Sequence, residues 1–307
     1  MLTAVIVFLL AFTLGFVCKK MFNLALVRGE KLVGGDGFKE QLAALKSEWD
    51  AGKVLFDSVP KEDLWIKSFD GLRLHGTLMK NGDGKKLVIE AHGFRSSPIH
   101  DFVAIMPYFW KKGFSVLMID HRSHGESEGT YITYGVHESK DMRAWVDKAK
   151  EVLGADTEII LHGISMGAST VLMSSVLDMP LNVKGIIADS GFTSPYDIFC
   201  EVLERSFHAK PFPILPIVNA MAKHKAGFGF KDASTVAAMM DNKIPVLFVH
   251  GEDDDFVPIE MSEANFEVLE AKKEFVRIKG AMHACGYVVD KVSCTTAMDK
   301  FISEIMQ

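Results

Sequence analysis

Short apolar runs of strand length recur along most of the chain, separated by polar or amphipathic stretches. Leu64–Phe69 and Leu72–Met79 are β-like and meet at Asp70-Gly71, a strong hairpin signal. Leu87–Ala91, Ser115–Ile119, Glu158–His162, Gly185–Ala188, Val246–Val249 and Glu274–Ile278 follow, most with room for a helix between them. These runs are β-branched or Leu-rich on both faces, as strands of a parallel sheet buried under helices must be. The pattern predicts an α/β fold: a mostly parallel eight-stranded sheet with helices on both faces. Helical spacing predicts an amphipathic helix over 38–51, with Phe38, Leu42, Leu45 and Trp49 on one side, and Ala168–Leu177 is a helix-like run. Polar residues cluster just after the strand ends, where open α/β sheets bind ligands.

The first 27 residues obey a different rule. Leu2–Val17 carries no charge, Lys19 and Lys20 follow, and Met21–Val27 is apolar again. A spanning helix needs about 20 apolar residues, so the first run suffices only if the lysines snorkel to the interface. No side-chain charge precedes the run, no small-x-small cleavage site follows it, and Gly15-Phe16-Val17 ahead of Cys18 is a poor lipidation box. The expectation is an uncleaved membrane anchor over 2–27, with a signal segment and a secreted protein as the alternative. Lys19, Lys20, Arg28 and Lys31 all follow the segment, which favours the cytoplasmic side for the rest of the chain. After the anchor comes a Gly-rich break at Gly34-Gly35-Asp36-Gly37; residues 28–61 read as a connector and 62–307 as the main domain.

Composition narrows the field. With 48% apolar and 24% charged residues the chain can bury a sizeable core. A net charge of −6 without a Lys/Arg run speaks against a nucleic-acid partner. Cys18, Cys200, Cys285 and Cys294 are scattered without zinc spacing, so free thiols are expected. Cys285 reads as a small buried hydrophobe.

Gly163-Ile164-Ser165-Met166-Gly167 lies between a buried strand and a helix-like run, the context of a nucleophile elbow. So tight a turn needs glycine at both flanks, and it leaves the Ser165 hydroxyl exposed above the sheet. A serine needs a base to take its proton, and a histidine fixed by a carboxylate is the usual one. In this arrangement the acid and then the histidine follow the serine along the chain. Gly280-Ala281-Met282-His283 follows the last strand and supplies the base, His283. Asp253, Asp254 and Asp255 are adjacent after the preceding strand, and spacing alone does not choose among them.

These motifs resemble those of the α/β-hydrolases. His250-Gly251-x-x-Asp254-x-x-Val257-Pro258 is similar to their acid loop, and the resemblance implies Asp254 as the acid. His92-Gly93-Phe94-Arg95-Ser96-Ser97 resembles their oxyanion loop, implying Phe94 and Met166 N–H groups as oxyanion donors. Asp120 to Gly129 resembles the D-x-R-x-H-G-x-S-x-G stretch, read here as a structural turn, with His121 and His124 not expected to bind metal. The likeness covers most of 62–307 and is nearest to bacterial serine aminopeptidase-like or esterase-like hydrolases with an N-terminal hydrophobic segment. It implies no cofactor and no metal. It is weakest over 195–240, where such proteins carry a cap. There Pro211, Pro213 and Pro216 interrupt apolar helices suited to covering an acyl pocket. The expected function is hydrolysis of a carboxylic ester in a small-molecule acyl substrate. A peptidase of the same fold and a non-enzymatic membrane-tethered binding protein are the alternatives. The cap looks basic (Arg205, Lys210, Lys223, Lys225), which does not suit gripping a free amino terminus, and a binding protein predicts a degraded triad.

Overall fold

The computed structural model describes residues 1–29, 40–41 and 43–306. Its centre is one eight-stranded sheet in the order β1-β2-β4-β3-β5-β6-β7-β8. β1 (Glu62–Lys67) and β2 (Arg73–Met79) form the hairpin, with Lys67 opposite Arg73. β2 also runs antiparallel to β4 (Ser115–Ile119). β3 (Lys86–Ala91), β4, β5 (Glu158–Ile164), β6 (Val183–Asp189), β7 (Val246–Gly251) and β8 (Lys273–Ile278) are parallel. The fold is that of the α/β-hydrolases. β5 and β7 run on into the turn motifs, because Gly163 and Ile164 still pair with Ala188 and Asp189, and Gly251 with Ile278.

The period of two sorts the core into two layers. Leu87, Ile89, Leu161 and Ile186 face one cluster, while Val88, Val116, Ile160 and Ile187 face the other. In chain order the helices are α1 (Leu2–Leu26), α2 (Lys46–Ser58), α3 (Pro98–Phe102), α4 (Met106–Lys111), α5 (Glu138–Leu153) and α6 (Met166–Ser174). α7 (Pro195–Glu201), a π turn at Val202–Ser206, α8 (Pro211–Ala226) and α9 (Thr235–Asp241) lie between β6 and β7. α10 (Ile259–Val268), α11 (Gly286–Val289) and α12 (Lys291–Ile305) follow. Met142 and Trp145 of α5 and Val171 of α6 cover the first layer; Phe102, Phe109 and Phe301 cover the second.

Two expectations shift. Of the helix expected over 38–51, Phe38 and Leu42 lie outside the described residues, as do Lys31 and the break at 34–37. The helix that the structure describes, α2, continues past Gly52 to Ser58. A Cβ on Gly52 would lie 1.8 Å from the Val103 carbonyl oxygen, so the glycine permits close backbone contact inside the helix. In α8 the prolines do not break the helix at Pro216. The one non-helical residue is Phe212, and the helix restarts after it. Pro216 therefore falls only four residues into the restarted helix, where it forgoes no more than the first intrahelical hydrogen bond.

A third apolar cluster joins α1 to the segment between β6 and β7: Cys18, Phe22 and Leu26 are buried with Leu215, Val218 and Ala222 of α8. By length and composition, Phe8–Leu26 is able to cross a bilayer, a property that anchors and signal sequences share.

Candidate active site

Ser165 joins β5 to α6 at φ 56°, ψ −116°, a conformation that costs a non-glycine residue on the order of 1–3 kcal/mol. The surroundings enforce it. A Cβ on Gly163 would lie 2.3 Å from the Gly167 carbonyl oxygen, and one on Gly167 would lie 1.8 Å from that of Ala91. The Asp189 carbonyl accepts the Ser165 N–H at 2.8 Å, pinning the turn to the end of β6.

Ser165 and His283, singled out by their motifs, meet here with Asp254, the acid that the resemblance implied. Ser165 Oγ donates to His283 Nε2 at 2.9 Å, and His283 Nδ1 donates to Asp254 Oδ2 at 2.7 Å. Asp254 is also the aspartate of its run that is buried; Asp253 and Asp255 are exposed or carry no such contact. Its second oxygen accepts the N–H groups of Phe256 and Val257 at 3.0 and 2.8 Å, and His250 Nε2 lies 3.1 Å from Oδ2. Burial alone would raise the Asp254 carboxyl, but the two histidines and these hydrogen bonds hold it well below the usual carboxylate range. Burial would lower the His283 imidazole; the Asp254 charge beside it outweighs that and raises it.

The His283 loop is tied from two sides. Gln41, in the connector, donates its amide to the Gly280 carbonyl at 2.7 Å and accepts the Met282 N–H at 2.9 Å. Ser190 Oγ accepts the Ala284 N–H at 3.2 Å and donates to Asp189 at 2.9 Å. Burial pushes the Asp189 carboxyl up to about 6.

The loop carrying Phe94 lies against the serine: a Cβ on Gly93 would be 3.4 Å from the Ser165 Cβ. Met166 opens α6, where the first N–H groups point out of the helix. The loop itself is held by Asp101, which accepts the Gly93 N–H at 2.8 Å and the Ser96 hydroxyl on its other oxygen. His124 Nε2 accepts the Arg95 N–H at 3.0 Å. His92 does likewise for the His121 N–H at 3.2 Å. Burial drives His92 down to about 4 and His121 and His124 to about 3, so all three rings are neutral and able to accept. The stretch from Asp120 thus supports the Phe94 loop. Its Arg122 is buried and paired with Asp70 and Asp141. Cys285 is buried, and burial holds its thiol at about 12, in the protonated form.

A cavity of about 300 Å³ opens beside Ser165. Phe192, Phe199 and Leu203 line it from the segment after β6, Ile214 and Val218 from α8, and Phe256 from the acid loop. Three further lining residues, Met21, Leu24 and Ala25, come from α1. The sequence pattern placed these in an anchor and gave no signal of a role at the site. Nor did it mark Asp101, Ser190 or Gln41.

The family described as serine aminopeptidase, S33, matches residues 82–242, just over half of the chain. The uncharacterized protein YqkD of Bacillus subtilis is 27% identical over 264 residues, which is 85% of this chain and 86% of that protein. The alpha/beta hydrolase domain-containing protein WAV2 of Arabidopsis thaliana is 28% identical over 235 residues, 72% of each chain. Among solved structures, the Pyrococcus furiosus esterase Pf2001 superposes with a TM-score of 0.66 at 21% identity, over 92% of this chain and 99% of that one. At that identity the likeness concerns the fold.

Proposed function

This chain belongs to the serine aminopeptidase S33 family of α/β-hydrolases, and from that premise we propose that it is a serine hydrolase cleaving carboxylic esters through an acyl-enzyme. The observation that carries the reading is the hydrogen-bonded chain from Ser165 through His283 to Asp254, at 2.9 and 2.7 Å. Ser165 Oγ attacks the ester carbonyl while His283 Nε2 takes its proton. Asp254 keeps Nδ1 protonated and stabilises the imidazolium without taking the proton itself. The N–H groups of Phe94 and Met166 receive the oxyanion, and His283 returns its proton to the departing alkoxide. Water then attacks the acyl-enzyme with His283 again as base, releasing the carboxylic acid and restoring Ser165.

The family description makes an aminopeptidase the second reading. A peptidase gripping a free amino terminus needs an anion for the ammonium, and among the described residues lining the cavity there is no carboxylate. The lining supports an acyl chain instead. A non-enzymatic binding protein would have no use for a strained serine aligned on a hydrogen-bonded His–Asp pair.

The discriminating experiment offers p-nitrophenyl esters and aminoacyl p-nitroanilides to the same preparation. Ester cleavage lost in Ser165→Ala, with amide cleavage slow in both, supports the proposal. Preferential cleavage of aminoacyl amides would replace it with the peptidase reading.

A further inference from the structure

α1 is one helix in two environments. Phe8 is 67% exposed and Phe12 66%, and Val5, Ile6, Leu9, Leu10 and Phe16 are exposed as well. These positions spread over more than half of the helix circumference, wider than the apolar stripe of a surface helix, and so many exposed apolar side chains suit a hydrocarbon phase rather than water. From Cys18 onward the helix is docked, with Phe22 only 1% exposed against the α8 cluster. Exposed Lys19 and Lys20 mark the boundary. Leu2 to Val17 rises about 24 Å, close to a hydrocarbon core of about 30 Å once the lysine stems reach outward.

Just past that boundary the helix becomes part of the cavity. Met21, Leu24 and Ala25 form one face at i, i+3, i+4 and line it, and Met21 is only about 6 Å along the axis from Val17. Cys18 lies 4.0 Å from the Ile214 carbonyl, so the start of α8 sits at the same level. Phe212 there is 78% exposed, and nearby Phe207, itself a lining residue, is also exposed. The far end of the helix is built into the site's framework. Arg95, next to Phe94, donates to the Val27 carbonyl at 2.8 Å, Tyr134 to that of Ala25 at 3.0 Å, and the Ile132 N–H to that of Leu26 at 2.7 Å.

Resting on the esterase reading above, we propose that α1 is the membrane-side wall of the acyl pocket. The substrate is then an amphiphilic ester with a medium or long acyl chain, drawn from the bilayer in which the first part of α1 sits. The chain lies between α1 and α8 while the ester reaches Ser165. On this account α1 is retained as part of the site, because its removal would open the cavity.

The test uses the full chain reconstituted in phosphatidylcholine vesicles. Leu24→Trp and Ala25→Trp fill the pocket from α1, and each is expected to lower the ratio of kcat/KM for p-nitrophenyl decanoate to that for p-nitrophenyl acetate at least tenfold. Asn23→Trp adds the same bulk on an exposed side of the helix and keeps the native ratio. A long-chain fluorogenic ester is expected to be cleaved faster when it shares the protein's vesicles than when it is supplied in separate ones. Labelling of each variant by a fluorophosphonate shows that the fold and serine are intact. Labelled variants with an unchanged ratio would overturn the pocket wall, and equal rates in shared and separate vesicles would overturn delivery from the bilayer. Native protein that neither labels nor cleaves any ester would instead sink the esterase reading itself.

Discussion

The carboxylate of Asp101 accepts the backbone N–H of Gly93 at 2.8 Å, one residue before Phe94 and directly against Ser165. The other Asp101 oxygen takes the Ser96 hydroxyl, so one side chain ties the loop at two points. Burial would raise its carboxyl, but the His100, Ser96 and Gly93 hydrogen bonds lower it, so it remains an acceptor. Removing it frees the loop that presents the Phe94 N–H. Because a misplacement of about 1 Å can cost on the order of a hundredfold, Asp101→Ala should lower kcat about tenfold to a hundredfold with little change in KM. Asp101→Asn keeps one acceptor oxygen and should recover most of the loss. Steady-state kinetics on p-nitrophenyl butyrate measure both, and an unchanged kcat in Asp101→Ala would remove the loop from the account.

The His283–Asp254 pair sets a pH limb. The general base works in its neutral form, and the neighbouring carboxylate raises the imidazole above its ordinary value of 6.5 against the effect of burial. Activity should therefore rise with pH through a limb lying above 6.5. Asp189 and Asp101 also face the ring and push the same way. Asp254→Asn removes the largest charge, so its limb moves to lower pH, and kcat falls by on the order of 10⁴-fold as the imidazole loses its tautomer. A pH–rate profile of kcat/KM for both proteins gives the comparison. A limb in Asp254→Asn at or above the native position would contradict the assignment.

A different carboxyl predicts a stability effect. Glu90 on β3 is fully buried, and neither of its oxygens has a hydrogen-bond partner among the described residues. Burial raises its carboxyl well above the ordinary value of 4.5, so the folded state holds a proton that the unfolded chain releases. Between that ordinary value and the raised one, each rise in pH then favours unfolding, since the folded state binds more protons there. Glu90→Met fills similar space without the polar atoms. It should raise the melting temperature, with a larger gain at pH 8 than at pH 5. Thermal unfolding at the two pH values decides it, and a gain independent of pH would mean Glu90 is not held protonated.

The sheet was legible because each strand is a short apolar run ending in a polar turn, and the same ends hold Ser165, Asp254 and His283. Periodicity reports what a residue's own element does with it. It cannot report contacts made by loops distant in sequence, which is why Asp101, Ser190 and Gln41 carried no mark. Gly52 is a further case: its lack of a side chain answers to Val103 and not to its own helix. Met21, Leu24 and Ala25 read as further apolar positions in an anchor, because an apolar face toward lipid and one toward a substrate pocket look alike in sequence.

The direct test of the central claim is peptide mapping of the native protein after reaction with a fluorophosphonate, beside p-nitrophenyl ester turnover by Ser165→Ala. The account predicts a single adduct on Ser165, its formation slowed at least a hundredfold in His283→Ala, and turnover abolished in Ser165→Ala. An adduct on another residue, or native-like turnover without the Ser165 hydroxyl, would contradict it.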